Sequence, residues 1–173
     1  GGDANYRAQR GTRAAQGGAN PGVFTVKDAN GSGYIPTDSA RANQIGAVAA
    51  DAAVAEGLQA LRQSGMHLTA RLSANRDNLD ARGMGGSALQ TSSGAIGLDY
   101  DMIPWLAPSG AQTAEYLGQL AASCQQLGFD GLLLINVGYP VRGRTNLITT
   151  DQKADKAALV TQMVSSIRSR VPD

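Results

Sequence analysis

Aromatic residues and cysteine are scarce in this 173-residue sequence. Aromatic side chains make up 5% of it, and Trp105 is its one tryptophan. Because 42% of the residues are hydrophobic and alanine and glycine are abundant, the core is expected to consist of small aliphatic side chains between helices and a sheet. The single cysteine, Cys124, excludes an internal disulfide bond, and its neighbours predict a position in the core of a helix.

The sequence also lacks a block of like charge and a long apolar run. Its 15 basic and 14 acidic residues are scattered along the chain, so nucleic-acid binding is not expected. The longest apolar stretch, Leu132 to Val137, is far shorter than the roughly 18 to 20 residues that cross a bilayer, so no transmembrane segment is expected. The first residues are Gly-Gly-Asp without an initiator methionine, which indicates a processed product, an expressed fragment or a segment of a longer protein.

Two parts of the chain differ in composition. Residues 1–20 are rich in Gly, Ala, Arg and Gln and predict a flexible or helical N-terminal arm. Residues 21–173 predict one domain, in which strands are expected at 23–26, 67–73 and 132–137. The polar stretch 74–108 between the second strand and the next helix predicts a long connection, which in a compact fold is usually functional or disordered.

Amphipathic helices are predicted after each of the three strands. The first runs from Ala49 to Gln63, the second follows a capping box at Ser109 and Gln112, and Asp151 is expected to cap the third. The expected buried stripe of the third helix comprises Ala157, Val160, Val164, Ile167 and Val171. Alternation of strands and helices predicts an α/β fold of right-handed parallel (β/α) units. The continuous apolar third strand predicts cover on both faces of the sheet.

Four short motifs carry a family resemblance. They are Val26-Lys27-Asp28 with Gly33, Leu68 to Leu72 with Arg76-Asp77, Trp105-Leu106-Ala107-Pro108, and Leu127 to Asp130 with Tyr139-Pro140. In this order they resemble the glycosyl hydrolase-like domain of bacterial envelope proteins, a relative of the amylase-type barrels, over roughly residues 22–140.

The resemblance implies a (β/α)8 barrel with a carbohydrate site at the carboxyl ends of its strands, and an extracellular or cell-surface location. A full barrel of this type needs about 250 residues. The chain is therefore expected to form part of a TIM-type barrel or a reduced half-barrel. The edges of such a sheet would expose unpaired backbone groups, which predicts self-association or docking to another segment of a larger protein.

The carboxylates needed for glycoside hydrolysis are incomplete in the sequence. In the family, the strand after Gly-Phe-Asp ends with acidic and guanidinium groups, whereas here it ends with Asn136, Val137 and Gly138. Hydrolysis ordinarily requires two carboxyl groups about 5 to 10 Å apart, and an asparagine cannot ionise. The remaining candidates for catalysis are Asp28, Asp77, Asp99 and Asp101.

Five residues are candidates for substrate binding: Lys27, Arg71, Trp105, Asn136 and Tyr139. The two cations would hold hydroxyl or carboxylate groups of a saccharide, or else form structural ion pairs with a nearby aspartate such as Asp28 or Asp77. The tryptophan would stack on a sugar ring or anchor the packing.

No cofactor or metal site is expected. The segment from Asp28 through Asn30 and Ser32 to Gly33 matches the start of a calcium loop, but Ser39 stands where its twelfth-position glutamate is needed. The glycines of this segment are not followed by a phosphate-binding Gly-Lys-Ser/Thr motif. His67 has no second ligand at metal spacing.

Three functional hypotheses follow from these observations. The leading one is a non-catalytic glycosidase-like domain that binds glycan or serves as a module of an extracellular or envelope protein. The alternatives are an active glycoside hydrolase acting on a polysaccharide and a structural assembly module without a ligand. The fold alone does not distinguish them, because one barrel supports many functions.

Overall fold

A computed structural model describes residues 22–48, 52–83 and 87–172. Its strands are β1 (Val23–Lys27), β2 (Thr69–Ser73) and β3 (Gly131–Ile135). They form one sheet in the order β1-β2-β3, and both pairs are parallel. The predicted α/β fold with neighbouring parallel strands is confirmed, as an open sheet consistent with part of a (β/α) barrel. The arm predicted at residues 1–20 lies outside the described residues.

The described part of the chain contains five helices: α1 (Ala40–Gln44), α2 (Ala52–Gln63), α3 (Asn78–Arg82), α4 (Ala111–Gln126) and α5 (Lys156–Arg168). A single 3-10 turn spans Thr145–Leu147. Helix α3 was not predicted, because its five residues are too few to show helical periodicity. It places one short helix directly after β2, within the connection predicted as a loop.

Two predicted helix caps are wrong. Helix α4 starts after Gly110 without a side-chain cap, so Ser109 does not form a capping box. Helix α5 is capped by Asp155, whose carboxylate accepts a hydrogen bond from the backbone N–H of Ala158 at 3.1 Å. An N-cap residue needs an extended backbone, and Asp151, with a φ of 60°, does not have one.

The core lies between one face of the sheet and the helices. Phe24 and Val26 of β1 and Ala70 and Leu72 of β2 point into it, together with Cys124 of α4. The thiol is fully buried, as predicted, and burial raises the pKa of Cys124 to about 12. The core thus combines small side chains such as Ala70 and Cys124 with the large ring of Phe24, although aromatic residues are scarce in the sequence.

Strand β3 is less covered than its apolar sequence predicted. Leu133 is 43% exposed, and Leu132 and Leu134 are only partly buried. The reason is that β3 is the last strand of the open sheet, with β2 as its neighbour among the described strands. The predicted stripe of α5 is affected in the same way. Ile167 is buried while Ala157 is exposed, and the unpredicted Met163 takes a core position.

A groove of about 580 Å³ lies between β3 and helix α5. Leu132 and Leu134 of the strand line it together with Val164 and Ile167 of α5. These are the helix-facing side chains of β3, so the groove marks where the layered packing of strand and helix is incomplete.

Candidate functional site

The carboxyl ends of β1 and β2 are joined by a buried ion pair. Lys27 Nζ lies 2.9 Å from Asp77 Oδ2, and the two side chains are 1% and 0% exposed. Lys27 also donates to the backbone oxygens of Ser73 and Ala74. The other oxygen of Asp77 caps α3 by accepting from the backbone N–H of Asp80 at 2.8 Å. The structure thus places both residues in a buried ion pair, which agrees with the structural alternative for Lys27.

A second acidic residue lies beside this pair. Asp80 bonds to Arg41 of α1 and is itself buried. Burial raises the pKa of Asp80, and the negative charge of Asp77 adds to the shift, while Arg41 opposes it. Sequence reasoning missed this group. Its spacing of three residues from the capping aspartate is the signal of a helix start that would have indicated it.

Asp28 organises the turn after β1. Its Oδ1 accepts from the backbone N–H groups of Asn30 at 3.1 Å and Ser32 at 3.0 Å, and its Oδ2 accepts from the hydroxyl of Tyr34 at 2.7 Å. This hydrogen bond to Asp28 raises the pKa of Tyr34. Both carboxylate oxygens of Asp28 are thus engaged by neighbouring residues, and Asn30 Oδ1 accepts from Asn78 of α3 at 3.0 Å. Across residues 22–48, 52–83 and 87–172, no group of three or more His, Cys, Asp or Glu side chains is arranged to hold a metal ion.

Arg76, which follows β2, binds two carboxylates of the long connection. Its Nε donates to Asp99 Oδ2 at 2.8 Å and its Nη2 to Asp101 Oδ2 at 3.1 Å. The indole N–H of Trp105 donates to the same Asp99 oxygen at 2.8 Å, and Oδ1 of Asp99 accepts from the backbone N–H groups of Asp101 and Ile103. Burial alone would raise the pKa of Asp99, but the bonds from Trp105 and Arg76 outweigh it and hold this pKa below its ordinary value.

Trp105 lies in a small apolar cluster instead of on the surface. Trp105 is 9% exposed and packs with Leu89, Ala107 and Ile148. Such burial leaves little ring face for a sugar. The structure therefore favours the packing interpretation of this tryptophan, with its N–H orienting Asp99.

A different aromatic residue is exposed at this end of the sheet. Tyr100 is 66% exposed, and the guanidinium of Arg142 lies 4.9 Å from its ring centroid. Met102 and Val141, on the same two loops, are 64% and 90% exposed. We call these four residues the Tyr100 platform. In the sequence, the platform shows as one aromatic and two apolar residues within otherwise polar loops. The four family motifs do not include these positions.

The two loops of the platform touch at Gly143. A Cβ atom added to this glycine would lie 2.7 Å from the backbone nitrogen of Tyr100 and 3.0 Å from the carbonyl carbon of Asp99. Gly143 also has a φ of 96°, in the left-handed region that favours glycine. The close approach fixes the loop of Arg142 against the loop of Tyr100.

The other predicted binding residues each hydrogen-bond to a different partner within the protein. Arg71 lies within β2 and donates to Thr25 Oγ1 at 2.6 and 3.1 Å. Asn136 donates to Ser73 Oγ at 2.9 Å. The Tyr139 hydroxyl donates to Asp151 Oδ2 at 2.8 Å, and burial together with this hydrogen bond raises the pKa of that tyrosine. All three are engaged within the protein, although all keep partial exposure.

Asn75 ties the strand ends to both loops. Its Nδ2 donates to the backbone oxygen of Leu106 at 2.9 Å, and its Oδ1 accepts from the backbone N–H of Gly138 at 2.8 Å. The side chain is fully buried. Neither bond is local in sequence, and together they position the loops that carry Tyr100 and Arg142.

Comparison with solved structures identifies the fold. A hypothetical protein from Ruminiclostridium thermocellum ATCC 27405 matches with a TM-score of 0.78 at 18% identity, covering 96% of this chain and 87% of that chain. The structure of Aspergillus fumigatus Ega3 in complex with galactosamine matches with a TM-score of 0.45 at 18% identity, covering 67% of this chain and 45% of that chain. No curated protein matches the sequence.

Every helix in the part of the chain that the structure describes is too short or too polar to cross a membrane. The family model described as "Putative glycosyl hydrolase domain" matches residues 12–173, which confirms the family resemblance carried by the four motifs. Since the match spans most of the sequence, the chain belongs to this glycosyl hydrolase-like family.

Proposed function

We propose that this chain is a glycan-binding member of its family that does not itself cleave glycosidic bonds. One observation supports binding above the others: the exposed Tyr100 ring stands on a loop fixed by Arg76 at the carboxyl end of the sheet. In open α/β sheets, ligands bind outside the carboxyl ends of the strands. The position of the Tyr100 platform agrees with this rule.

The chemistry of the platform suits a saccharide. A tyrosine ring presents an apolar face to the C–H groups of a sugar and a polar hydroxyl to its rim. Asp101, whose side chain is 68% exposed, and Arg142 supply an acceptor and donors beside the ring. Because both loops are held by internal hydrogen bonds, little conformational entropy is lost when a ligand binds.

The carboxylates argue against hydrolysis. A glycosidase needs an accessible acid with a raised pKa beside a second, ionised carboxylate. Asp77 is buried against Lys27, and the pKa of Asp99 is lowered. Asp28 already accepts three hydrogen bonds, while Asp80, whose pKa is raised, is buried. The raised pKa of Asp80 thus belongs to a buried carboxyl group, which does not suit the role of an accessible acid.

The test measures binding and hydrolysis on the same samples. The purified chain is incubated with insoluble cell-wall and storage polysaccharides, and retained protein and released reducing ends are both quantified. We expect retention without turnover, and loss of retention in Tyr100→Ala. Leu133→Ala, which shortens an exposed apolar side chain on the sheet, is the matched control and should bind normally. Turnover that disappears in Asp28→Asn or Asp101→Asn would overturn the non-catalytic proposal.

The proposal extends to location and assembly. Cell-wall polysaccharides lie outside the cell membrane, so we place the protein in an extracellular or cell-surface setting. The groove beside β3 and the exposed Leu133 support self-association of the chain through this strand. Apolar strand edges are usually paired or covered in native proteins.

A further inference from the structure

We infer that the Tyr100 platform selects negatively charged glycans, whose carboxylate or phosphate groups bind Arg142 and Arg144. This inference rests on the proposed function, since it names the ligand class of the same surface. It follows from the charges and contacts of the loop between β3 and α5.

The loop of residues 138–148 carries two arginines and no acidic residue. Arg142 and Arg144 are both exposed, and neither takes part in an ion pair among the described residues. Arg170, by comparison, is also exposed but pairs with Glu115 at 3.0 Å. The two positive charges of the loop are therefore without a carboxylate partner within the described part of the molecule.

A third guanidinium contacts the loop of Tyr100 through Met102. Arg82 of α3 donates to Asn78 Oδ1 at 2.7 Å and to the backbone oxygen of Met102 at 3.5 Å. Both acceptors are uncharged, so they orient this group without neutralising it. Its contact with Met102 places Arg82 beside the Tyr100 platform.

The negative charges nearby do not cancel these three arginines. Asp99 and Asp101 together carry two negative charges and share Arg76, so that cluster has a net charge of minus one. With the three positive charges of Arg82, Arg142 and Arg144, these six groups carry a net charge of plus two. A cationic amino sugar would be repelled here, and an anionic sugar attracted.

The contact at Gly143 brings the segment that carries both arginines against the loop of Tyr100. Gly143 meets the backbone of Asp99 and Tyr100, and Arg142 and Arg144 flank it on either side in the sequence. The ring of Tyr100 orients Arg142 through a cation–π contact of 4.9 Å. A guanidinium held in this way matches the geometry of a carboxylate or phosphate and forms two parallel hydrogen bonds with it.

The experiment compares polysaccharides that differ only in charge. Polygalacturonate is compared with its fully methyl-esterified form, and phosphorylated dextran with plain dextran. We expect at least one charged member to bind about tenfold more tightly than its neutral partner, and this preference to shrink as salt rises from about 0.02 M to about 0.3 M because screening weakens exposed charge contacts. The two pairs distinguish a carboxylate ligand from a phosphate ligand.

Variants assign the preference to the two arginines. The double variant Arg142→Gln, Arg144→Gln should lose the preference, so that the charged and neutral members of each pair bind with similar affinity. The control is Arg168→Gln, which removes an exposed arginine of α5 at the groove beside β3. This variant should keep the preference for the charged member. A preference unchanged in the double variant would overturn the inference.

The remaining outcomes separate this inference from the proposed function. If charged and neutral polysaccharides bind equally and Tyr100→Ala abolishes both, the inference is wrong and glycan binding stands. If no polysaccharide of either kind is retained, both the inference and the proposed function are wrong.

Discussion

Asp99 accepts hydrogen bonds from a guanidinium, an indole and two backbone N–H groups, and therefore functions as a fixed anion. Each donor favours the ionised carboxylate over the protonated form. The residue that the sequence identified as a catalytic candidate thus fits better as the anchor that holds the loop of Tyr100.

The lowered pKa of Asp99 predicts how stability depends on pH. A carboxyl group whose pKa is depressed in the folded state stabilises the fold. This stabilisation is complete above the pKa of the unfolded state, about 3.9, and is lost as the pH falls through the pKa of the folded state. Between about pH 5 and pH 3, the free energy of unfolding should decrease less in Asp99→Asn than in the wild type. Urea titrations followed by the fluorescence of Trp105 measure this. Parallel curves for the two proteins would contradict it.

Gly143 provides a second prediction for a single residue. Replacing a left-handed glycine by alanine costs about 1 to 2 kcal/mol for the backbone alone. Gly94→Ala, with a φ of 82° and open space around it, should show only this cost. Gly143→Ala should lose more stability, because its Cβ would meet the backbone of Tyr100. It should also weaken glycan retention. Equal losses in urea titrations of the two variants would refute the close contact.

At the scale of the elements, the pair of Lys27 and Asp77 joins β1 to the start of α3. A buried pair of this kind gains little net free energy over apolar side chains, but leaving one charge unpaired is costly. The pair therefore fixes where the strand and the short helix meet, and with them the position of Arg76 between β2 and α3.

Removing one partner of this pair should destabilise the fold strongly. Asp77→Asn keeps the N-cap but leaves Lys27 buried and unpaired, which we expect to cost about 3 to 5 kcal/mol. Adding Lys27→Met should recover part of the loss in chemical denaturation. Glu115→Gln, which breaks the exposed pair with Arg170, should cost less than about 1 kcal/mol. A small effect of Asp77→Asn alone would show that the charge of Lys27 is solvated.

At the scale of the whole molecule, the sheet ends at β3 with apolar side chains that its neighbours only partly cover. Leu133 lies on the face away from the helices, and the groove of about 580 Å³ lies on the other. In the described part of the chain, neither face of this strand is fully packed.

We therefore expect the chain to self-associate through β3. Sedimentation velocity at rising concentration should show a shift from monomer to a larger species, and Leu133→Lys should suppress it, because a charge on an edge strand opposes pairing. Val141→Lys, a charge added to an even more exposed apolar position on the platform, is the control. A well-folded and strictly monomeric protein at high concentration would contradict the prediction.

Local patterns in the sequence determined the order and type of the main elements. The three strands lie where alternation and apolar runs predicted them, within two residues at each end, because side-chain burial imposes its period on the sequence. The helix caps were predicted less well. Ser109 and Asp151 are suitable residues in sequence, but backbone conformation decides which residue caps a helix, and tertiary packing sets that conformation.

Tertiary structure alone decided the site. Tyr100 and Arg142 lie 42 positions apart, on loops that have no periodicity, and they meet because Asn75 and Gly143 hold those loops together. In the same way, Lys27 and Asp77 carry complementary charges that the sequence displays, but their burial results from the parallel register of β1 and β2. Short-range patterns record which residues face a core, whereas a binding surface depends on contacts between distant segments, and these form only when the chain is folded.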